Sequence, residues 1–368
     1  MVITRTPFRV SFFGGGTDYP AWYLKNGGSV LATSIDKYCY LTTRYLPPFF
    51  EHRYHIVYSK NEICGKIEEI QHPAVRAILT GMKFERGLEI HHDGDLPARS
   101  GMGSSSSFVV GLLHALHALR GQMISKQDLT HEAIRIEQEC LCEVVGSQDQ
   151  VLAAHGGFNL VRFQTTGEIT VQPVTISPNR LQQLNDHLLL FYTGLARTSS
   201  QVAASYVNNL ASKERQLRVY GEMVQEALAI LSSSQPLLDF GRLLHEAWKL
   251  KRSLGEGVSN DEIDHVYATA LQSGAVGGKL LGAGGGGFLL IFAAPENHGA
   301  LKSKLNNLLE IPFRFERSGS QVIFFDHQID YSNKEQDRET QNLRPFSEAT
   351  VPAAAQPHSA RAKTPLLP

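Results

Sequence analysis

The sequence predicts an α+β fold of two domains, and three observations carry that prediction. Stretches rich in β-branched and aromatic residues dominate the start of the chain, at 2–13 and 28–43. A glycine–serine run at 100–107 opens directly into an apolar helix. The second half alternates long helical patterns with one almost wholly apolar strand that follows a glycine loop at 282–287. At 368 residues the chain is long enough for two or three domains.

The elements follow in order. VITRTPFRVSFF (2–13) reads as a strand running into Gly14-Gly15-Gly16, and GSVLATSIDKYCYLTT (28–43) as a second strand. A third lies near 53–59, a helix around Pro73–Met82, and LEIHHDG (88–94) is a strand leading to a loop. After ARSGMGSSSS, the residues Val109, Leu112, Leu113, Leu116 and Leu119 return at helical spacing. Ser125 with Asp128 three residues on marks another helix start. That helix is expected to carry Ala133, Glu137, Cys140, Leu141 and Val144 toward one side. GSQDQ reads as a polar turn, and AAHGGFNLVRF as a glycine turn into a strand.

LLLFYTG (188–194) is an apolar strand, and RTSSQVAASYVNNL begins a helix after its serines. Helical patterns occupy 213–232 and 236–250, and Ser259 with Glu262 starts a further helix ending near Gly274. The segment GGKLLGAGGGGFLLIFAA reads as a glycine loop bounded by a strand. A helix near 297–310 and short strands near 311–316 and 321–326 complete this half. Pro173 and Pro178 put the division near 180–188, giving domains at 1–185 and 186–332 and a Pro/Ala-rich tail, 333–368, outside the core.

Composition narrows the function. Thirty-five Lys and Arg balance 36 Asp and Glu, so no field of one sign draws the chain to nucleic acid or to an anionic membrane. No apolar run reaches the length of a bilayer span, and MVITRTPFRVSFF lacks the pattern of a secretory signal. Cys39, Cys64, Cys140 and Cys142 form neither a CxxC pair nor a His-spaced zinc pattern. They read as reduced thiols of a cytoplasmic protein. No feature selects a monomer over a homodimer.

Three polar constellations remain. In SGMGSSSS (100–107) glycine admits close approach of a phosphate group, and a helix start offers free N–H groups and the positive dipole end. A simple helix cap is the plainer reading of the same serines. Walker A is excluded, because no lysine follows the glycines in the required place. The dinucleotide fingerprint is weak: Gly14 and Gly16 supply GxG, but Tyr19 stands where the next glycine belongs, and Asp36 alone does not rescue it.

In IEQECLCEVVGSQDQ, Glu137 sits on an apolar stripe, where its charge needs compensation such as magnesium beside phosphates. Asp149 follows in the polar turn, within reach of an acceptor hydroxyl; a helix cap is its bland alternative. In PFRVSFFGGGTDY, the Arg9 guanidinium can bridge phosphate and sugar oxygens, and Asp18 can accept from sugar hydroxyls. The glycines of 282–287 permit tight approach to a ligand or between domains.

Taken in order, RVSFFGGGTDY, SGMGSSSS, EQECLCEVVGSQDQ and KLLGAGGGG resemble the motifs of the GHMP small-molecule kinase superfamily, over essentially residues 1–330. Within it, TPFRVSFFGGGTDYPAWY, GGSVLATSIDKY, HDGDLPARSGMGSSSS and EVVGSQDQVLAAHGGFN are most similar to kinases of the D-glycero-D-manno-heptose 7-phosphate type. The resemblance implies a ribosomal-protein-S5-like N-terminal domain with a left-handed βαβ crossover and a ferredoxin-like C-terminal domain, with the active site between them. It implies ATP and Mg2+ as cofactors. The partner is a small-molecule sugar or sugar phosphate.

Residue roles follow from the same resemblance. Gly101, Gly103, Ser104, Ser105, Ser106 and Ser107 bind ATP, with Ser105 the hydroxyl nearest magnesium and Glu137 its carboxylate. Asp149 is the catalytic aspartate and Arg9 the basic residue beside the transferred phosphoryl group. The turn of Gly15, Gly16, Thr17 and Asp18 binds the sugar. Galactokinases have a glutamate and a histidine where this chain has Gly15 and Gly16, which counts against galactose and leaves room for a larger or phosphorylated acceptor. A 7-phosphate needs cationic or N–H contacts, and Arg197, Thr198 and Ser199 are the candidates. Lys279 is a further contributor, Lys249, Lys251 and Arg252 weaker ones, and Gly284 and Gly285 line the same cleft. The expected reaction is phosphorylation of the anomeric hydroxyl of heptose 7-phosphate to the 1,7-bisphosphate. The alternatives are a kinase for L-fucose or an unphosphorylated heptose, and a noncatalytic nucleotide-binding regulator.

Overall fold

Two long strands open the chain, β1 (Val2–Phe13) and β2 (Gly28–Tyr45), paired antiparallel with α1 (Pro20–Asn26) between them. The computed structural model describes residues 1–98, 100–195, 213–255, 257–326 and 334. Next come β3 (Tyr54–Val57), β4 (Asn61–Cys64), α2 (Pro73–Gly81) and β5 (Leu88–Gly94). Strand β5 pairs antiparallel with β2 and parallel with β3. Helices α3 (Ser104–Leu119) and α4 (Lys126–Arg135) follow, then a π-helical turn (Ile136–Cys140) and α5 (Gln148–His155). Strands β6 (Phe158–Phe163) and β7 (Ile169–Pro173) and helix α6 (Pro178–Asp186) end this half.

A second sheet begins at β8 (Leu188–Tyr192). After it come α7 (Glu214–Ser232), α8 (Leu238–Arg252), α9 (Asp261–Gln272), β9 (Ala275–Leu280) and β10 (Phe288–Ala293). Helix α10 (His298–Lys304) and β11 (Leu309–Glu310) close that sheet, whose strands lie in the order β11-β8-β10-β9. Strands β12 (Phe315–Glu316) and β13 (Gln321–Phe325) then return to the first sheet, beside β2 and β1 respectively. The span 186–332 therefore supplies strands to both sheets, and a division at 185 does not separate them.

The burial pattern explains the strands. On β10, Phe288, Leu290 and Phe292 face the main core, while Leu289, Ile291 and Ala293 face a second cluster with Ile263, Tyr267 and Leu301. Alternate residues point to opposite faces, and both faces are covered, so the strand reads as one apolar run. The two halves share the main core. Phe12 and Phe13 of β1 meet Phe240 of α8 edge-on at 5.5 and 5.2 Å between ring centroids.

The chain crosses between the sheets twice, near 186–188 and near 311–315, and Asn185 joins the two crossings. Its amide donates to Phe313 O at 3.4 Å and accepts from Phe315 N–H at 3.0 Å.

Several local expectations are corrected. The helix expected through Val144 stops at the π turn, where Leu141 N–H donates to Ile136 O at 2.9 Å. The longer turn breaks the 3.6-residue register, so Glu137 is buried while Cys140 and Val144 are exposed. GSQDQ is not only a turn but the entry to α5, whose Gln150 to Ala154 are all buried. A helix buried all round has no polar face to give it away. The cap of α9 is Asn260, accepting from Ile263 N–H at 2.9 Å, one residue after the expected Ser259. Residues 275–280 form a strand instead of loop, and the helix near 297–310 ends at Lys304. The helix expected from RTSSQVAASYVNNL and nearly all of the 333–368 tail lie outside the described residues.

Candidate active site

The start of α3 is built from glycine upward. Gly103 is its N-cap and adopts φ 75°, ψ 25°, a left-handed conformation that glycine takes without steric cost. No side chain caps this end. Ser107 N–H donates to Gly103 O and closes the first turn, so the N–H groups of Ser105 and Ser106 stand at the open end of the helix. Those donors and the helix dipole favour an anion such as a phosphate group.

Beneath this turn lies Glu137, fully buried. Its Oε2 accepts from Ser106 Oγ at 2.8 Å and from the Gln150 side-chain amide. Its Oε1 is buried with no partner. Burial, only partly offset by those two hydrogen bonds, pushes its carboxyl up to about 8. Every direct partner is neutral, so the charged form has no cation beside it. An orphaned carboxylate oxygen next to a hydroxyl and a phosphate-binding turn suits a hard divalent cation with oxygen ligands, and the residues present fit Mg2+. The hydroxyl that reaches Glu137 is that of Ser106, while Ser105 is exposed. Adjacent helical residues diverge by about 100°, so one step in register moves the hydroxyl away. Ser107 is turned to the sheet, where its Oγ donates to Pro7 O at 2.9 Å, and it is not free for phosphate.

Arg9 comes from β1 and is 4% exposed. Its Nε and Nη2 each lie 2.7 Å from a different oxygen of Asp149, and its Nη1 donates to Gly101 O at 2.5 Å. The fork-like bidentate pair fixes both side chains. A Cβ on Gly103 would stand 3.3 Å from Arg9 Cγ and 3.4 Å from Asp149 Oδ2, so the pair abuts the helix-start turn. The distant segments singled out in the sequence therefore converge.

Asp18 lies alongside, 1% exposed. Its carboxylate accepts from Gly16 N–H at 2.8 Å and Gln148 N–H at 3.3 Å. Burial, with the Asp149 charge adding to it, raises its carboxyl to about 6. Thr17 is corrected: its hydroxyl bonds Gly14 O, Ser29 O and Ser29 N–H, so it holds the turn rather than a ligand. A Cβ on Gly15 would lie 3.6 Å from Gln148 Nε2 and 3.8 Å from Ser11 Oγ, both ordinary contacts. At Gly16 a Cβ would come within 3.1 Å of Leu217.

The second glycine loop closes on the first. A Cβ on Gly282 would meet Gly101 Cα at 2.5 Å, and one on Gly287 would meet Ser100 O at 2.1 Å. Gly284 is instead packed on Val258, and Gly285 N–H donates to Val258 O at 3.0 Å. Lys251, a weaker candidate for the 7-phosphate, is buried and donates to Leu280 O and Gly282 O. Burial, aided by the Arg9 charge, lowers its ammonium to about 7. Lys249 and Arg252 are exposed and paired with Glu246 and Asp264. Lys279 is buried, donates to Phe12 O at 2.9 Å and Tyr220 Oη at 3.0 Å, and is held well below its ordinary value by burial. Those bonds tie β9 to β1 rather than leaving the ammonium for a phosphate. Arg197, Thr198 and Ser199 lie outside the described residues.

Sequence reasoning missed four participants. Ser11 Oγ and Gln148 Oε1 are buried without partners beside Gly15. Gln150 holds Glu137, and Gly146 backs Asp18, since a Cβ there would lie 1.9 Å from Asp18 Oδ2. Ser11 was findable: it stands two residues from Arg9 on one strand and so shares its face.

Comparisons with known proteins bear on the family of the chain. Residues 69–157 match the GHMP kinases N terminal domain, and residues 218–310 match the GHMP kinases C terminal domain. The chain is 29% identical over 304 residues to D-glycero-alpha-D-manno-heptose 7-phosphate kinase of Campylobacter jejuni, covering 79% of this chain and 89% of that protein. It is 27% identical to L-fucokinase/L-fucose-1-P guanylyltransferase of Bacteroides fragilis, covering 78% of this chain and 34% of that longer protein. It shares its fold with a D-glycero-D-manno-heptose 1-phosphate kinase from Bacteroides thetaiotaomicron at a TM-score of 0.73, with 22% identity over 89% of this chain and all of that one.

Proposed function

Since the chain belongs to the GHMP kinase superfamily and is an ATP-dependent phosphotransferase, we propose that it phosphorylates the anomeric hydroxyl of D-glycero-D-manno-heptose 7-phosphate to give the 1,7-bisphosphate. The observation that carries this reading is the meeting of the Arg9–Asp149 pair with the Gly101–Ser106 turn, above the orphaned oxygen of Glu137. The likeness to the Campylobacter heptose 7-phosphate kinase supports the choice of acceptor.

The N–H groups and positive dipole end at the start of α3 hold the triphosphate of ATP, the phosphoryl donor. Glu137 and Ser106 hold Mg2+, which neutralises phosphate charge when bound. Asp149 orients the acceptor hydroxyl and shares its proton as the oxygen attacks. Arg9 holds the Asp149 carboxylate in place through its bidentate pair and lends positive charge where the transferred group passes. Asp18, Ser11 and Gln148 take sugar hydroxyls. Arg197, Thr198 and Ser199 bind the 7-phosphate. Positioning and electrostatics suffice for phosphoryl transfer, so no covalent enzyme intermediate forms.

The test is a panel of heptose 7-phosphate, heptose, L-fucose and galactose with magnesium–ATP, read by product mass and phosphorus NMR. The expected product is a bisphosphate with its new phosphorus coupled to the anomeric proton. Preferential turnover of L-fucose, a reading supported by the fucokinase likeness, would replace this acceptor. ATP binding without transfer to any sugar would revive the noncatalytic regulator.

A further inference from the structure

Away from the cleft, β3 and β5 bring a second set of ligating atoms together. The two strands run parallel, with His55 opposite Glu89 and Val57 opposite His91. Residues two apart on one strand share a face, so Glu89 and His91 stand side by side and His55 completes a triangle. His92, the next residue after His91, points the other way and packs against Phe108 of α3. The triangle is tight. His91 Nε2 lies 2.8 Å and His55 Nδ1 3.3 Å from the same Glu89 oxygen, and one ligand atom from each residue lies within 4.8 Å of the others. Two ligands on a tetrahedral zinc ion stand about 3.3 Å apart, given zinc–ligand distances near 2.0 Å.

The surrounding bonds orient these atoms. His55 Nε2 lies 2.9 Å from Asn61 Oδ1, an atom that only accepts, so Nε2 carries the proton. In the neutral ring Nδ1 then aims a lone pair at a carboxylate oxygen, and two acceptors face each other. The other Glu89 oxygen accepts from the Arg44 guanidinium. A cation at the Oε1 side resolves the conflict between the facing acceptors. The side chains of His55, Glu89 and His91 are 23%, 12% and 40% exposed, so an ion can enter from solvent. A shallow concavity of about 240 Å³, lined in part by Phe50, His52 and Ile63, borders the group and leaves room for a water ligand.

We propose that His55, Glu89 and His91 bind a late first-row divalent cation, with zinc as the occupant, at a site separate from the catalytic cleft. The imidazoles bind as neutral ligands and Glu89 through one oxygen, with Asn61 and Arg44 as the outer partners that orient them. Two nitrogen donors, and a carboxylate whose charge Arg44 already balances, select zinc over magnesium, which prefers oxygen ligands. The ion ties the four-residue strand β3 to β5.

The experiment uses tag-free full-length protein, stripped with chelator and titrated with cobalt in excess magnesium. We expect one cobalt per chain at this site, with the strong visible bands of low coordination, displaced by zinc and accompanied by a rise in thermal midpoint. His55→Ala and His91→Ala should each weaken binding by more than about tenfold while turnover with magnesium–ATP stays at the wild-type level. Asn61→Ala keeps all three ligands and should weaken binding by roughly 10- to 100-fold through lost orientation, which covers the case of a ligand variant that does not fold. Equal cobalt binding by wild type and all variants would overturn the site. So would no binding, with both rings doubly protonated by nitrogen NMR, which would make the cluster an ion pair.

Discussion

Two carboxylates flank the same helix-start turn, Glu137 fully buried and Asp149 partly exposed, and the protein treats them in opposite ways. Asp149 is clamped by both arms of a guanidinium, so its charge is balanced within the chain. Glu137 has only a hydroxyl and an amide for company, and one of its oxygens has nothing at all. A buried charge without a counter-ion is costly. The first carboxylate is therefore ready in the free protein, while the second becomes ionised and useful when a cation arrives. One is a fixed positioning device; the other couples stability to ligand binding.

The sharpest way to break that contrast is Asp149→Asn, which keeps the shape and removes the charge. Turnover should fall by roughly 10²- to 10⁴-fold with ATP binding retained. A single-turnover rate near wild type would leave Asp149 no chemical role.

Glu137→Gln probes the other side. In metal-free protein, burial raises Glu137 to about 8 from an ordinary 4.5, so the folded state holds a proton that the unfolded state releases between those values. Stability then falls as pH rises through that window, by as much as about 5 kcal/mol, and is fully present below it. The glutamine variant should lose this slope, and its half-maximal magnesium concentration for turnover should rise by more than about tenfold. Urea unfolding in chelator across the window reads the first effect, and magnesium titration of turnover reads the second. Parallel pH slopes for variant and wild type would remove the distinction between the two carboxylates.

Asp18 falls between these extremes, with backbone donors but no cation directly bound. Its carboxyl is raised to about 6, so kcat/KM should climb with pH through that value as the ionised form appears. Asp18→Asn should lower kcat/KM by about tenfold at neutral pH and flatten the acid limb. An unchanged limb in the variant would assign it to another group.

The smallest effects separate neighbouring serines. Ser106→Ala should raise the magnesium requirement, since Ser106 Oγ donates to Glu137. Ser107→Ala should cost about 1 kcal/mol of stability through its bond to Pro7 O and leave the magnesium requirement alone. The reverse pattern would restore Ser107 to the phosphate site.

Much of this was legible in the sequence, for identifiable reasons. Glycine before a serine run and an apolar helix marks an anion site by local chemistry alone, and Gly101, Gly103, Glu137, Asp149, Arg9 and Asp18 do come together. What was not legible depended on register or on contacts distant in sequence. The π turn shifts the side chains after Glu137 by one position, which no fixed helical period foretells. Which serine faces Glu137 follows from where α3 begins, a matter of a single residue. Lys251 and Lys279 read as candidate cations for a phosphate until α8 and β9 are packed against β1 and the glycine loop. The return of β12 and β13 to the first sheet is a pairing over some three hundred positions, recorded in no local pattern.

The double passage of the chain at Asn185 has a mechanical consequence. Both strands of the linkage run side by side and are bonded through one amide, so they behave as the two straps of a door hinge rather than as a single flexible tether. Sliding or twisting of one lobe on the other would have to stretch one strap against its twin. A swing about that edge would leave the register of each sheet intact but would have to part the core that the halves share around Phe12, Phe13 and Phe240.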